Sequence, residues 1–176
     1  MANGTLKVGE ITTSTGSGNI TIGSGVTLQS NVPAFEAYLS SDQSVSDNVT
    51  TKVQVDTEVF DSDDCYDNST NYRFTPTKAG KYFVYAKVSC DVNANSAMSQ
   101  MMTLIYKNGS VYSQSIYNYA TNFGREGTPY IGTVIDMNGT TDYLELFGQN
   151  DVSSGSATFN GGTQRFTLFG AYKVGI

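Results

Sequence analysis

The chain has 176 residues, enough for one domain with a sizeable core, and sets 10 Lys plus Arg against 16 Asp plus Glu for a net charge of −6. No basic stripe exists to bind phosphates, which argues against nucleic acid as a partner. The absence of His removes Ser-His and Cys-His nucleophile pairs and every imidazole zinc site. Charged residues make up only 15%, while 12 Tyr and 9 Phe stand among many Ser, Thr, Asn and Gly, a mixture that favours strands joined by polar turns.

The start of the chain lacks a basic stretch leading into an apolar one, and nowhere do 18 apolar residues follow one another. A soluble chain without a leader or membrane insertion is expected. Residues 1–30 contain no aromatic residue and cannot build a core. Two short alternating pieces, Leu6-Lys7-Val8 before Gly9 and Ile20-Thr21-Ile22 before Gly23, form a weak repeat of strand-sized units. Such a segment is either a disordered linker or a β-rich stalk or anchor ordered by neighbouring chains, with Leu6, Val8, Ile20 and Ile22 as the anchoring side chains. The pieces Gly16-Ser17-Gly18 and Gly23-Ser24-Gly25 lead into no helix and carry no following Lys, so they are not phosphate loops.

From Pro33 onward strands are expected at 34–40, 51–59, 71–75, 80–90, 101–107, 111–119, 130–136, 142–149 and 164–174, with no convincing helix. Over 51–59 the residues Thr51, Val53, Val55, Thr57 and Val59 share one face, which predicts a single half-buried strand. Asn108-Gly109 between two alternating runs suits the positive φ angles of a type I′ hairpin. Eight or nine strands in about 145 residues point to a two-sheet antiparallel sandwich, either a jelly roll or an immunoglobulin-like arrangement. Tyr66, Phe74, Tyr82 and the alternating valines are assigned to its core. Cys65 and Cys90 are expected as half-buried free thiols rather than a disulfide framework.

Residues 66–75 (Tyr-Asp-Asn-Ser-Thr-Asn-Tyr-Arg-Phe-Thr) followed by Ala79-Gly80-Lys81-Tyr82-Phe83-Val84-Tyr85 resemble the signature of the complement globular-head domains within the tumour-necrosis-factor-like superfamily. Asp61, Tyr66, Asp67, Thr70, Phe74, Gly80 and Tyr82 fall on matching positions. The departures are one extra residue between Tyr66 and Phe74, Val84 in place of Phe, and Ala86 in place of an aromatic. The segments 33–38 and 166–172 resemble the family's first and last strands. The likeness covers residues 33–176 and implies a jelly roll of about 8–10 strands that assembles as a tight homotrimer, its first and last strands near the three-fold axis. Together with the Gly/Ser/Thr-rich start, the texture is similar to that of structural appendage proteins of tailed bacteriophages. That implies a virion fibre, a capsid decoration or a tail-fibre tip at the virion surface, made in the host cytoplasm and held to a capsid or tail protein through residues 1–30.

The terminal strands support association independently, because each carries apolar groups on both faces. Phe35, Ala37 and Leu39 oppose Ala34 and Tyr38, while Phe166, Leu168, Tyr172 and Val174 oppose Phe169 and Ala171. Phe35, Tyr38, Phe166, Phe169 and Tyr172 are therefore the expected trimer contacts.

Three further constellations carry chemistry. Asp56, Glu58, Asp61, Asp63, Asp64 and Asp67 form a base-free acidic run, read first as a solvated turn. Calcium at Asp61, Asp63, Asp64 and Asp67 is the lesser reading, since the spacing lacks the glycine and distal Glu of a calcium loop. No cofactor is otherwise expected. Asp142 and Glu145, three apart in a strand, point to opposite faces and make poor partners for polysaccharide hydrolysis. A non-enzymatic chain is expected. Tyr112, Tyr117 and Tyr119, interleaved with amides that include Asn122, either pack at an interface or offer a platform to a host surface glycan.

Overall fold

A computed structural model of the chain describes Ser24, Gly25 and residues 32–119 and 124–176. The chain divides into two units, Met1–Ser30 and Asn31–Ile176. The anchor residues Leu6, Val8, Ile20 and Ile22, and Asn122 of the glycan platform, lie outside the described residues.

The described residues form strands and turns without a helix. The strands are β1 (Ala34–Tyr38), β2 (Gln43–Ser44), β3 (Thr51–Lys52), β4 (Thr57–Asp61), β5 (Tyr66–Asp67), β6 (Arg73–Phe74), β7 (Gly80–Lys87) and β8 (Cys90–Val92). They continue as β9 (Met98–Lys107), β10 (Ser110–Asn118), β11 (Glu126–Gly127), β12 (Tyr130–Met137), β13 (Leu144–Val152), β14 (Ala157–Phe159) and β15 (Leu168–Gly175). One sheet has the order β12-β7-β15-β1-β4, and a second runs β10-β9-β13-β6-β5 with β3 also paired to β13. A smaller sheet, β11-β8-β14-β2, adjoins the second through β14 and β8. Every strand pairing is antiparallel, and the first and last strands pair with each other at the centre of the first sheet. The expected all-β antiparallel jelly roll is the fold found.

Alternation explains which side chains fill the space between the sheets. Phe35 stacks on Tyr66 at 4.4 Å and on Phe74 at 4.7 Å between ring centroids, and Phe169 meets it edge-on at 5.1 Å. Tyr82 packs edge-on against Phe74 and donates its hydroxyl to the Lys78 carbonyl, while the Tyr66 hydroxyl donates to the Val55 carbonyl. Tyr66, Phe74 and Tyr82 thus occupy the core as expected, with both tyrosine hydroxyls hydrogen-bonded. Cys65 and Cys90 are buried free thiols, and burial pushes the Cys90 thiol up to about 12, so it stays protonated near neutrality.

Two elements differ from the sequence expectation. The segment 51–59 is not one strand: β3 pairs with β13 of the second sheet, and β4 pairs with β1 of the first. Val53 and Val55 lie fully buried at the crossing, whereas Val59 turns out to solvent. The stretch 80–90 also breaks, after Lys87. The amide of Val88 is taken by the Thr103 hydroxyl and that of Ser89 by the Thr167 hydroxyl, so the backbone leaves the first ladder without losing hydrogen bonds. Asn108 and Gly109 take φ angles of 52° and 79°, the left-handed values that a type I′ turn demands, and close β9 onto β10.

Candidate self-association surface

Phe35 and Phe169 are corrected from the expected trimer contacts to core residues, because both are completely buried within a single chain. Their strand parity decides this: Phe35 pairs with Ala171 and Ala37 with Phe169, and all four point between the sheets. Tyr38 and Tyr172 have the opposite parity and stand on the outward face. Phe166 is exposed just before β15.

The outward face has chemistry unusual for a solvated sheet. Registers across four or five strands place its residues in rows. One row runs Val134, Phe83, Tyr172, Ala34. The next runs Gly132, Tyr85, Gly170, Glu36, Phe60, and a third runs Tyr130, Lys87, Leu168, Tyr38. Phe83, Tyr85 and Tyr172 cluster with centroid separations of 5.6, 6.2 and 6.5 Å. Phe60, Tyr130, Val134, Tyr172 and Val174 are exposed apolar side chains on or beside this face. The Lys81–Asp136 pair, at 2.6 Å and open to solvent, stands at one end. A face this rich in rings, with only Glu36 and Lys87 charged within its rows and the Lys81–Asp136 pair at one end, has the composition of a protein contact surface.

Within the face, the Glu36 carboxylate is held at both oxygens. Arg165 donates from Nη1 at 2.8 Å to Oε1, and the Tyr85 hydroxyl donates at 2.8 Å to Oε2. Burial, with the Glu36 hydrogen bond, pushes the Tyr85 phenol well above its ordinary range, so it remains a donor. Phe83, Tyr85, Glu36 and Arg165 escaped the sequence reading. The available signal was the aromatic-aliphatic run 82–86, which is apolar on both strand faces.

A second apolar surface lies along β10, the edge strand of the second sheet. Its nine residues include no charge and no proline, the devices that usually blunt an edge. Val111, Tyr112, Ile116 and Tyr117 are exposed there, and the Tyr112 hydroxyl reaches toward the Val134 carbonyl of β12 at 3.5 Å. Of the proposed platform, Tyr112 and Tyr117 therefore share one edge. Tyr119 instead packs against the core, its ring so close to Gly124 that an added Cβ there would sit 3.1 Å from it.

The acidic run is largely consumed by loop construction. Asp61 accepts the amides of Cys65 and Tyr66 on one oxygen, and Asp67 accepts those of Ser69, Thr70 and Asn71. Asp64 and Asp67 line a cleft of about 390 Å³ together with Glu58, Arg73 and Thr75. Partial burial, with Asp61 and Asp64 nearby, raises the Glu58 carboxyl above its ordinary value. Among the described residues, no group of three or more His, Cys, Asp or Glu side chains is arranged to hold a metal ion.

Asp142 and Glu145 are likewise occupied separately. Asp142 accepts the side-chain amide of Asn108 and pairs with Lys107 at 2.9 Å. Glu145, 5% exposed at its side chain, takes both Lys52 and Arg73 at 2.7 Å on one oxygen, and Arg73 also lies 3.9 Å above the Tyr143 ring. Replacing Glu145 by Gln removes the negative charge that two cations share. The expected loss is about 2 kcal/mol of stability, read from the urea unfolding midpoint.

Acid should weaken the head through two carboxylates. The Thr70 amide, with those of Ser69 and Asn71, holds Asp67 well below its ordinary value, and the Asn108 amide with Lys107 lowers Asp142. A depressed carboxyl stabilises the fold above the unfolded value of about 4 and loses that contribution as pH falls through the folded value. The urea midpoint is expected to start falling as pH drops through about 4 and to keep falling below pH 3, with a shallower drop in Asp142→Asn.

No family model matches the chain, and no curated protein matches its sequence. Solved structures do share its fold. An Eiger tumour necrosis factor from S. frugiperda superposes with a TM-score of 0.57 at 10% identity, over 82% of this chain and 94% of that one. Murine APRIL gives 0.57 at 12% identity over 81% and 99%, and the globular domain of the zebrafish complement 1qA protein gives 0.54 at 10% over 81% and 97%. The described strands therefore form a jelly roll of the kind shared by tumour-necrosis-factor and complement globular-head domains.

Proposed function

We propose that the chain is a non-enzymatic structural protein of a bacteriophage virion, a homotrimeric fibre or capsid decoration whose first thirty residues attach it to a capsid or tail protein. The observation that carries the trimer is the aromatic outward face of the first sheet. Rings at Phe83, Tyr85, Tyr130 and Tyr172 on one sheet face are costly to leave in water, and a second copy is the simplest cover. The β10 edge supplies a second, unlike apolar surface. Contact between two unlike surfaces of identical chains runs head to tail and closes into a ring when each step turns by one third. The trimer implied by the family resemblance meets that requirement.

The virion role is supported by the texture of the chain, a coreless Gly/Ser/Thr-rich segment in front of a jelly-roll head. Its place would be the virion surface after synthesis in the host cytoplasm. Light scattering on the purified chain is expected to give three copies; a monomer that persists at micromolar concentration overturns the proposal. Deletion of residues 1–30 is expected to leave a folded trimeric head that no longer joins particles. Normal incorporation of that truncation would refute attachment through the segment.

A second role, host adhesion through a glycan, draws on the exposed Tyr112 and Tyr117. Tyr112→Ala separates the two uses of that edge. Loss of host-glycan binding in an intact trimer assigns the edge to adhesion, and loss of the trimer assigns it to the subunit contact.

A further inference from the structure

We propose that Glu36 is the residue that sets the register of self-association. The proposal rests on the subunit contact described above, and names the group within it that admits one alignment of neighbouring copies and rejects the others.

Glu36 stands in the central row of the outward face, between Gly170 and Phe60. Its hydrogen-bond partner Tyr85 belongs to β7, two strands away, and can reach it only by lying across β15. Residue 170 makes this possible: a Cβ added there would come within 2.4 Å of the Tyr85 ring. Glycine in a strand interior costs about 0.5–1 kcal/mol relative to alanine. On the other side Arg165 takes a left-handed backbone, φ 56°, in a turn closed by its amide on the Gly162 carbonyl, and its guanidinium lies 5.9 Å from the Tyr38 ring.

Two conformationally unfavourable positions thus converge on one carboxylate. In a free chain the ion pair repays little of that, since Arg165 is 45% exposed and pairs open to solvent are worth about 0–1 kcal/mol. The arrangement has a use when the face is dry. Glu36 is already only 17% exposed at its side chain, and both of its oxygens have partners within its own chain. A neighbouring copy can cover it without stripping any hydrogen bond. A shifted copy that displaces Arg165 or Tyr85 leaves a charge unpaired against aromatic rings, and that alignment is rejected.

The test compares full-length wild type, Glu36→Gln, Tyr85→Phe and the double variant Glu36→Leu with Arg165→Met by analytical ultracentrifugation, with circular dichroism to confirm folding. Wild type is expected as one stoichiometry. Glu36→Gln and Tyr85→Phe are expected to raise the dissociation concentration about tenfold or more, equivalent to about 1.4 kcal/mol. The double variant is expected to associate at least as tightly as wild type while spreading over more than one stoichiometry.

A double variant that keeps the single wild-type stoichiometry overturns the register role, as does an unchanged dissociation concentration in Tyr85→Phe. The latter removes one oxygen and keeps the ring, so it carries the test if a Glu36 variant fails to fold. A monomeric wild type sinks the subunit contact itself, a failure visible before any variant is made.

Discussion

Val55→Asp is expected to leave no folded head. Val55 is completely buried where the chain crosses from the second sheet to the first, and its carbonyl receives the hydroxyl of the core tyrosine Tyr66. An ionised carboxylate at that point has no cation to pair with. Leaving it unpaired costs several kcal/mol against a typical total stability of about 5–15 kcal/mol. Loss of the cooperative thermal transition, followed by far-ultraviolet circular dichroism, is the expected readout. Val55→Ala, which deletes methyl groups without adding charge, is expected to keep the transition at a lower temperature. Wild-type melting of Val55→Asp would show that the crossing does not bury this side chain.

Tyr172→Asp is expected to act on assembly and to spare the fold. The ring is 44% exposed, and it touches Phe83 and Tyr85 on the outward face rather than the core. In a free chain the new carboxylate remains solvated. In an assembled one it is desolvated among rings and within the same surface as the Glu36 carboxylate. A penalty above about 3 kcal/mol, or more than about a hundredfold in dissociation constant, follows for an unpaired buried charge. Sedimentation velocity should show a folded monomer that keeps a cooperative melting transition, at a lower temperature because the stabilisation by assembly is lost. Phe169→Ala is the converse case: it empties a site between Phe35 and Tyr66 and should cost about 3–5 kcal/mol of fold stability. If Tyr172→Asp assembled normally, the outward face could not be the subunit contact.

The motif led to the fold because its aromatic residues are core residues. Tyr66, Phe74 and Tyr82 meet in one aromatic cluster around Phe35, and such a cluster tolerates few substitutes in size and shape. The Asn108-Gly109 hairpin was equally legible, because its φ angles are a local property of two residues. Longer stretches were less legible where the backbone changes sheets. Alternation over 51–59 looked unbroken, yet the partner strand changes from β13 to β1 within it, and periodicity carries no information about partners.

The candidate self-association surface was half legible for a related reason. Apolar side chains on both faces of the terminal strands announced that something must cover the second face. Which face was outward depended on where the opposite sheet lies, so Phe35 and Phe169 were placed with Tyr38 and Tyr172 although they point the other way. The reach of Tyr85 over Gly170 to Glu36 joins three strands that are distant in sequence. No local pattern encodes it.

From composition, periodicity and one motif, the chain alone determined an all-β antiparallel head, a core built on Tyr66, Phe74 and Tyr82, and the absence of imidazole chemistry. These follow from side-chain identity and near-neighbour spacing. Only the tertiary structure decided the inward and outward parity of the terminal strands, the sheet crossing at Val55 and the Glu36, Arg165 and Tyr85 cluster. Each of those depends on which distant strands lie side by side, and that is set by the packing of the whole sandwich.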